Sequence, residues 1–261
     1  MPTLASIKAN QQAIGNWGNV MQLRPYQQDA VDSAIAWMRK STEPALLGLS
    51  TGAGKSHIAA AIALWITQKT GKKVLVLQPS KELTSQNFEK YLATGEKASI
   101  FSASANSKCT RHNVVYATPK TVLNSIARFG DAFGAVIIDE AHQTTPTIKT
   151  IIDSIRAKNP MLRVIGMTAT PYRMGTGYIY QFDHTQTPVK RLSEDETISA
   201  FYHSLLYKIH TRELIEMHFL TDAHTDTDTN QIHYNTDNLT LNKMGQFDAK
   251  AVEQAFVGQG R

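Results

Sequence analysis

Short runs of consecutive apolar residues recur along the chain between segments of helical periodicity. The runs occupy residues 46–49, 74–77, 114–116, 136–138 and 164–166. Their residues are apolar without alternation, and strands covered by helices on both faces have that pattern. The runs therefore predict strands of a sheet that is buried on both sides.

Between these runs, apolar residues recur at the spacing of a helix. Positions 31, 34, 35 and 38 form one such set, and positions 148, 151, 152 and 155 form another. Pro25 suits a first helical turn, where its missing N–H does no harm. Strand and helix in alternation predict an α/β fold with a mainly parallel sheet and helices on both faces.

The pattern divides the chain into three parts. Residues 1–20 have weak periodicity and are interpreted as a leader, residues 21–220 as one domain, and residues 221–261 as an exit strand, a helix and a linker. Within the domain, residues 171–190 are rich in Gly, Thr, Pro and Tyr and predict a loop. Ser193 with Glu196 is a capping-box pair and predicts a helix through about Tyr207.

The exit segment contains three further predicted features. Residues 221–235 alternate Thr, Asp and His and predict an exposed strand or an extended exit, and Asp248 is a candidate cap for a helix through Phe256. Residues 258–261 resemble an interdomain linker. They favour either a fragment that ends at a domain boundary or a natural single-lobe protein.

Composition narrows the class of protein. Apolar residues make up 42% and charged residues 19% of the 261, as in ordinary globular domains. The longest apolar run, residues 58–66, is far shorter than the ~20 residues of a membrane span. The single cysteine, Cys109, excludes an internal disulfide. With no signal-peptide pattern at its start, the chain is expected to be cytoplasmic, without a membrane partner.

Charge is distributed unevenly along the chain. The net charge is +5; residues 1–130 hold 15 basic and 6 acidic side chains (+9), and residues 131–261 hold 12 and 16 (−4). A basic front half permits nucleic-acid binding. Solvated lysines on helix faces explain the same count, so charge alone leaves both interpretations open.

A glycine-rich stretch, Ser50-Thr51-Gly52-Ala53-Gly54-Lys55-Ser56, follows the first predicted strand and begins a helix. Glycines let backbone N–H groups surround phosphate oxygens, a helix N-terminus attracts anions, and the lysine and serine suit phosphates and magnesium. Leu49 stands where the strict phosphate-loop pattern has glycine. The alternative is a fortuitous Gly-Lys-Ser turn. The residues predicted to bind ATP here are Thr51, Gly52, Ala53, Gly54, Lys55, Ser56 and His57.

Two adjacent carboxylates, Asp139 and Glu140, end the strand at residues 136–138. Open α/β sheets place ligands at this edge. Asp139, with Ser56, is the predicted magnesium ligand, and Glu140 is the candidate base that activates water. Taken alone, an Asp-Glu pair after a strand is more often a solvated turn. Thr168-Ala169-Thr170 follows the strand at 164–166, and its small hydroxyl side chains could link the nucleotide site to the nucleic-acid face. By itself this motif is a weak signal, because Thr-Ala-Thr is common in loops.

Six motifs occur in order, and together they resemble the first RecA-like lobe of superfamily-two DEAD/DEAH-box helicases. They occupy residues 23–27, 50–56, 79–86, 118–121, 139–142 and 168–171. Residues 168–182 resemble, more narrowly, the RadD group of bacterial DNA-repair ATPases. The resemblance covers roughly residues 20–220 and implies a RecA-like P-loop NTPase lobe.

The resemblance also implies roles for single residues. Arg24 and Gln27 would recognise adenine, although an exposed glutamine at a helix start is the simpler interpretation of Gln27 alone. His142, Thr168 and Thr170 would couple the nucleotide site to the nucleic-acid site. Ser80 would bind phosphate or cap a helix, and the two roles are compatible. The implied nucleic-acid contacts are Pro79, Ser80, Lys81, Thr118, Pro119, Lys120 and Arg173, the last being equally compatible with a solvated arginine.

The sequence therefore predicts the ATP-binding lobe of a nucleic-acid-dependent ATPase, a helicase or translocase that uses ATP and Mg²⁺. Lys55, Glu140 and Asp139 would carry the chemistry. The RadD resemblance favours DNA over RNA, in repair or recombination. A second RecA-like lobe with arginine fingers is expected in the full-length protein, so the chain alone would hydrolyse ATP slowly. The alternatives are the motor fragment of a restriction or phage-defence complex and a non-catalytic, nucleotide-switched nucleic-acid-binding module.

Overall fold

The computed structural model describes residues 22–198 and 200–222. Its helices are α1 (Pro25–Lys40), α2 (Lys55–Thr70), α3 (Lys81–Leu92), α4 (Pro119–Leu123), α5 (Pro146–Arg156) and α6 (Thr211–Glu216). Its strands are β1 (Ala45–Leu49), β2 (Lys73–Leu77), β3 (Ala98–Ser102), β4 (Ser107–Lys108), β5 (Val114–Ala117), β6 (Phe133–Ile138), β7 (Arg163–Thr168), β8 (Tyr172–Arg173), β9 (Gly177–Tyr178), β10 (Tyr180–Asp183), β11 (Lys190–Arg191) and β12 (Tyr202–Ile209). Short 3-10 helices lie at Ile126–Arg128 and Ala141–Gln143.

Ten of these strands form one sheet in the order β11-β10-β12-β1-β7-β6-β2-β5-β3-β4. All neighbours are parallel except the edge pairs β3–β4 and β10–β11. Strands β8 and β9 form a separate hairpin. The carboxyl ends of β1, β2, β6 and β7 meet at one edge, so the segments that follow them lie side by side.

The sheet has a hydrophobic core on each face, and consecutive strand residues point to opposite cores. Leu47 and Val74 pack with α1 and α2, whereas Leu46 and Leu75 pack with α4 and α5. This confirms the predicted parallel sheet with helices on both faces. It also explains the continuous apolar runs, because every residue of β1 is buried.

Helix α2 is apolar around most of its circumference. Its residues 58–66 are all buried, and it ends at Gly71, whose φ of 67° is the left-handed conformation that favours glycine. Such a helix is enclosed on all sides rather than amphipathic. It extends directly from the glycine-rich segment and holds that segment against the core.

Two expectations about the C-terminal part of the domain are wrong. Residues 171–190 are not one loop, because they contain β8, β9, β10 and the first residue of β11. The helix predicted from Ser193 to Tyr207 is absent. The capping contacts do form, with Ser193 N and Oγ donating to Glu196 Oε2 at 3.0 and 2.9 Å, but a turn follows and then strand β12. Tertiary pairing of β12 with β1, which buries Tyr202 and Leu205, overrides the local signal.

The predictions for the two ends of the chain and for the domain limits are not tested by the described residues. The predicted leader at residues 1–20, residues 223–235 of the predicted exit segment and the helix predicted from Asp248 lie outside the described residues. The domain limits remain predictions. Among the helices that the structure describes, none combines the length and apolar character needed to cross a membrane.

Candidate nucleotide and nucleic-acid site

The glycine-rich segment lies between β1 and α2, where the sequence analysis expects a phosphate loop. Gly52 and Gly54 have φ values of 82° and 81°. A Cβ atom on Gly54 would collide with Nε2 of Gln27, and one on Gly52 would lie 2.8 Å from Leu220 Cδ2. Both glycines adopt a left-handed backbone conformation that side-chain-bearing residues rarely take, and an added Cβ would displace Gln27 or Leu220. The hydroxyl of Ser50, buried at the start of the segment, has no hydrogen-bond partner among the described residues.

Helix α1 braces this loop through the carbonyl of Ala53. Tyr26 Oη donates to that oxygen at 3.1 Å, and Gln27 Nε2 donates to it at 3.0 Å. Oε1 of Gln27 accepts from the backbone N–H of Arg24 at 3.0 Å. Gln27 is only 5% exposed, so the interpretation of an exposed helix-start glutamine is wrong. Its contact with adenine remains a prediction.

Two residues missed by the sequence analysis complete this side of the loop. The guanidinium of Arg24 lies 4.5 Å from the ring centre of Phe219, which in turn packs against Tyr26. Leu220 packs against Gly52. No pattern in the sequence marks Phe219 and Leu220, because only the path of the chain after α6 brings them to the phosphate loop.

The loop meets the Asp-Glu pair through Lys55. Its ammonium nitrogen lies 3.7 Å from Glu140 Oε1 and donates to the Leu49 carbonyl at 3.4 Å. The two motifs are 85 residues apart in the sequence, and adjacent strand ends bring them together. This contact places the two motifs side by side, and their roles in binding phosphate and activating water remain predictions.

Asp139 is buried and its carboxylate is held on both oxygens. Oδ1 accepts from the Glu140 N–H at 3.0 Å, and Oδ2 accepts from Asn87 Nδ2 at 3.2 Å. Burial, followed by the charge of Glu140, raises the pKa of Asp139, and the hydrogen bond from Glu140 and the charge of Lys55 oppose that rise. A cation at this carboxylate would favour its charged form.

Glu140 occupies a strained backbone conformation. Its φ of 49° is unusual for a residue with a side chain, and it directs the following 3-10 turn across the sheet edge. Its side chain lies between Lys55 and His142, with Oε2 3.4 Å from His142 Nδ1. The carboxylate is thus placed beside the phosphate loop, where a water-activating base would be needed.

The predicted coupling residues form a connected set. His142 Nδ1 lies 2.9 Å from Thr168 Oγ1, and that hydroxyl accepts from the Thr170 N–H at 3.0 Å. Burial lowers the pKa of His142, and the charge of Glu140 opposes this shift. The charges of Arg173 and Lys55 lower the pKa further. The geometry links the turn after β6 to the turn after β7, while the coupling role itself remains a prediction.

Arg173, at the end of β8, is placed differently from a solvated arginine. Its Nε donates to the His142 carbonyl at 2.6 Å, and its Nη2 donates to the Thr144 carbonyl at 3.0 Å. Thr144 Oγ1 also lies 2.9 Å from Oη of the fully buried Tyr202. Arg173 and Tyr202 therefore hold the turn that follows Glu140. Contact between Arg173 and nucleic acid remains a prediction.

The two predicted strand-contacting motifs line a common groove. Its cavity volume is about 350 Å³, and Lys81 and Lys120 are exposed beside it. Ser80 caps α3 by accepting from the Leu83 N–H at 3.3 Å. The residues from these motifs that line the groove are Pro79, Ser80, Lys81, Thr118 and Lys120. The groove adds Ser104, Lys108 and Asn124, which the sequence analysis did not single out.

A second cavity connects this region to the carboxylates. It has a volume of about 270 Å³ and is lined by Pro79, Pro119 and Lys120 on one side and Asp139 and Glu140 on the other. All the predicted nucleic-acid residues except Arg173 thus lie near the same edge of the sheet. The second cavity is thus shared by residues of the predicted nucleic-acid motifs and by the Asp139–Glu140 pair.

The residues at this edge also fit a bound magnesium ion. Mg²⁺ takes oxygen ligands, usually few from protein, with the rest from water and substrate phosphates. The Asp139 carboxylate and the Ser56 hydroxyl supply such oxygens. Ser56 Oγ accepts from Lys90 Nζ at 3.4 Å, so Lys90 is a cation near the predicted metal position that the sequence analysis missed.

Residues 20–173, more than half of the chain, match the ResIII family, described as the res subunit of type III restriction enzymes. The chain belongs to this family. Its curated relatives include the ATP-dependent DNA helicase mph1 of Aspergillus niger, 28% identical over 63% of this chain, and fml1 of Schizosaccharomyces pombe, 28% identical over 58%. A relative from Methanocaldococcus jannaschii, 30% identical over 58% of this chain, is named provisionally as an ATP-dependent RNA helicase.

Solved structures show the same fold for this ResIII-family chain. The UvsW helicase of bacteriophage T4 has a TM-score of 0.53 at 19% identity, over 77% of this chain and 67% of that one. The type ISP restriction-modification enzyme LlaGI has a TM-score of 0.53 at 18% identity, over 76% of this chain and 21% of that one. The described residues have the fold of a RecA-like helicase lobe. This chain spans 16% of the length of mph1 and 19% of fml1.

Proposed function

We propose that this chain is the ATP-binding lobe of a nucleic-acid-dependent ATPase that acts on DNA. The observation that carries the proposal is the 3.7 Å contact between Lys55 and Glu140, which joins the phosphate loop to the candidate base. DNA is favoured because mph1 and fml1 are named DNA helicases. The finer proposal of a RadD-like repair ATPase rests on residues 168–182 alone.

The proposed chemistry assigns one task to each group. Backbone N–H groups of the loop and the Lys55 ammonium bind the phosphates of ATP, and Ser56 and Asp139 hold magnesium, which neutralises charge on the phosphate oxygens. Glu140 orients the attacking water and accepts its proton. Lys55 reaches Glu140 in the structure and would turn to phosphate when ATP binds, which frees the carboxylate for water.

A full rate requires more than this lobe. Arginine fingers in related phosphoryl-transfer sites raise the rate by roughly 10³–10⁵-fold, and we propose that a second RecA-like lobe of the full-length protein supplies them. The isolated chain is therefore expected to bind ATP or ADP with Mg²⁺ and to hydrolyse ATP slowly.

The test is steady-state ATP hydrolysis and nucleotide binding by the chain and by Lys55→Ala, each with single-stranded DNA, duplex DNA or RNA. We expect Mg²⁺-dependent nucleotide binding that Lys55→Ala abolishes, with slow turnover that DNA raises. Unchanged affinity in Lys55→Ala would contradict the phosphate-loop assignment. Stimulation by RNA alone would contradict the preference for DNA. Binding without turnover even after a second lobe is added would favour the non-catalytic module.

The description of the ResIII family favours a second candidate, the motor of a restriction or phage-defence complex. Such a motor moves along intact duplex, so closed circular duplex DNA would stimulate its ATPase as well as linear DNA does. A helicase that loads on single strands would respond to single-stranded DNA instead. A nuclease or methylase module beside this lobe in the full-length protein would also support the restriction motor.

A further inference from the structure

Helix α3 extends from the nucleic-acid groove to the nucleotide site. Its N-terminal end carries Ser80 and Lys81, which line the groove. Asn87 and Lys90 lie further along and, being three positions apart, share one face of the helix. At 1.5 Å per residue, Asn87 lies about 10 Å from Ser80 along the helix axis. Helix α3 thus lies beside the predicted nucleic-acid groove at its N-terminal end and beside the predicted nucleotide site in its later turns.

Asn87 holds one oxygen of the predicted metal-binding carboxylate. Its Nδ2 donates to Asp139 Oδ2 at 3.2 Å, and its side chain is buried. Because Oδ1 accepts from the Glu140 N–H, the two hydrogen bonds together fix the rotation of the carboxylate. Asn87 belongs to none of the residues to which the sequence motifs give a role.

Lys90 makes an independent contact with the other predicted metal ligand. Its ammonium donates to Ser56 Oγ at 3.4 Å. The same face of α3 therefore contacts Asp139, after β6, and Ser56, at the start of α2. A movement of α3 would reach both ligands at once, although they lie on different segments.

Helix α3 is braced within its first turn and packed along one side. Thr84 Oγ1 donates to the Ser80 carbonyl at 2.7 Å within its first turn, and Thr84 and Tyr91 are buried on its inner side. Packed elements of this kind shift between discrete positions rather than deform continuously. A displacement at Ser80 would therefore appear at Asn87.

We propose that Asn87 is a positioning residue for Asp139, and that α3 carries the effect of nucleic acid bound in the groove to the magnesium ligands. The proposal rests on the function proposed above. Coupling of this kind is reciprocal, so nucleic acid changes the affinity for Mg²⁺–nucleotide by the same factor as Mg²⁺–nucleotide changes the affinity for nucleic acid.

The experiment measures binding of a fluorescent ADP to the whole chain in EDTA, in Mg²⁺, and in Mg²⁺ with a single-stranded DNA oligonucleotide. The test variant is Asn87→Leu, which removes the donor and keeps the branched shape of the side chain, and Asn87→Ala is the second. Ser85→Ala is the matched control, because Ser85 lies about 200° from Asn87 around the same helix. Thermal unfolding of each variant verifies that it is folded.

In the wild type, we expect Mg²⁺ to strengthen ADP binding and DNA to change that affinity further. In Asn87→Leu, we expect an affinity in EDTA within about twofold of wild type, with the Mg²⁺ contribution reduced about 10-fold, as for other groups that hold metal ligands. The effect of DNA should fall towards none. Ser85→Ala should match the wild type in all three conditions.

Three results would overturn the inference. One is an unchanged Mg²⁺ contribution in a folded Asn87→Leu chain, the second is a reduced contribution with the DNA effect intact, and the third is a wild type that binds Mg²⁺–ADP without responding to DNA. A wild type that binds no ADP in any condition would instead contradict the proposed function itself.

Discussion

The imidazole of His142 and the hydroxyl of Thr168 meet at 2.9 Å, from Nδ1 to Oγ1. His142 lies in the turn after β6 and Thr168 is the last residue of β7, so the contact joins the ends of two neighbouring strands. The Thr168 hydroxyl also accepts from the Thr170 N–H. One buried hydroxyl thus connects the Asp-Glu-Ala-His turn to the Thr-Ala-Thr turn.

Thr168→Val is expected to destabilise the lobe by about 1–3 kcal/mol, because it leaves the Thr170 N–H and the His142 ring without their shared partner. Valine keeps the shape of threonine, so the phosphate loop and nucleotide affinity should be unchanged. Urea unfolding measures the first effect and nucleotide titration the second. The matched control is Thr150→Val, at an exposed helix position, with little change expected. Equal stability of the two variants would contradict the assigned role of Thr168.

The stability of the lobe should depend on the protonation of His142. Burial lowers its pKa in the folded state below the ~6.5 of the unfolded chain, so folding favours the neutral ring. The stability from this group is present above about pH 6.5 and is lost as the pH falls. Between pH 7.5 and 5.5, we expect the midpoint temperature of thermal unfolding to fall further for the wild type than for His142→Asn.

That comparison isolates His142 because the lowered pKa values of His57 and His184 contribute equally to both proteins. Thermal unfolding at a series of pH values is the measurement. Parallel curves for the two proteins would show that His142 titrates alike in the folded and unfolded states. That outcome would contradict the assigned effect of burial.

Alanine substitutions at Gly54 and Gly71 distinguish the cost of backbone strain from damage to the nucleotide site. Both have positive φ, 81° and 67°, so alanine at either position should cost about 1–2 kcal/mol. At Gly71 an added Cβ meets nothing within 4 Å, whereas at Gly54 it meets Nε2 of Gln27. We expect Gly54→Ala to lose nucleotide binding and Gly71→Ala to retain it, as measured with fluorescent ADP. Retained binding in Gly54→Ala would show that the Gln27 brace is dispensable.

Lys120 should contribute to nucleic-acid affinity through phosphate. It is exposed and lines both the groove and the second cavity, and the second cavity is also lined by Asp139 and Glu140. Lys120→Ala should lower the affinity for single-stranded DNA of different sequences uniformly and reduce the salt dependence by about 0.7 in log–log slope.

The control for this prediction is Lys69→Ala, which removes the same charge at the exposed end of α2, away from the groove. Fluorescence anisotropy at several salt concentrations gives the slope. If the two variants lose the same affinity, the binding is a response to net charge and not to this groove.

Much of the fold could be predicted because local pattern and tertiary position agree. The runs in β1, β2, β5, β6 and β7 are apolar on both faces, and the two cores of the sheet require that. Among the strands that the pattern did not predict are β3, with its serines, and β12, with its lysine and histidine. Their buried residues are interspersed with polar ones, so no run marks them, and long-range pairing alone makes them strands.

By itself, the sequence determined the chemistry available at the sheet edge. Residue type and spacing are enough to predict the roles of Gly52, Gly54, Lys55 and the Asp139–Glu140 pair. The reason is that the conformational freedom of glycine is a local property, and the position of strand ends in a parallel sheet follows from the topology. Only the tertiary structure decided what holds those groups in place. Asn87 on Asp139 and Arg173 on the turn after Glu140 are contacts between distant segments. Such contacts have no sequence period, and they exist only once the sheet has aligned its strand ends.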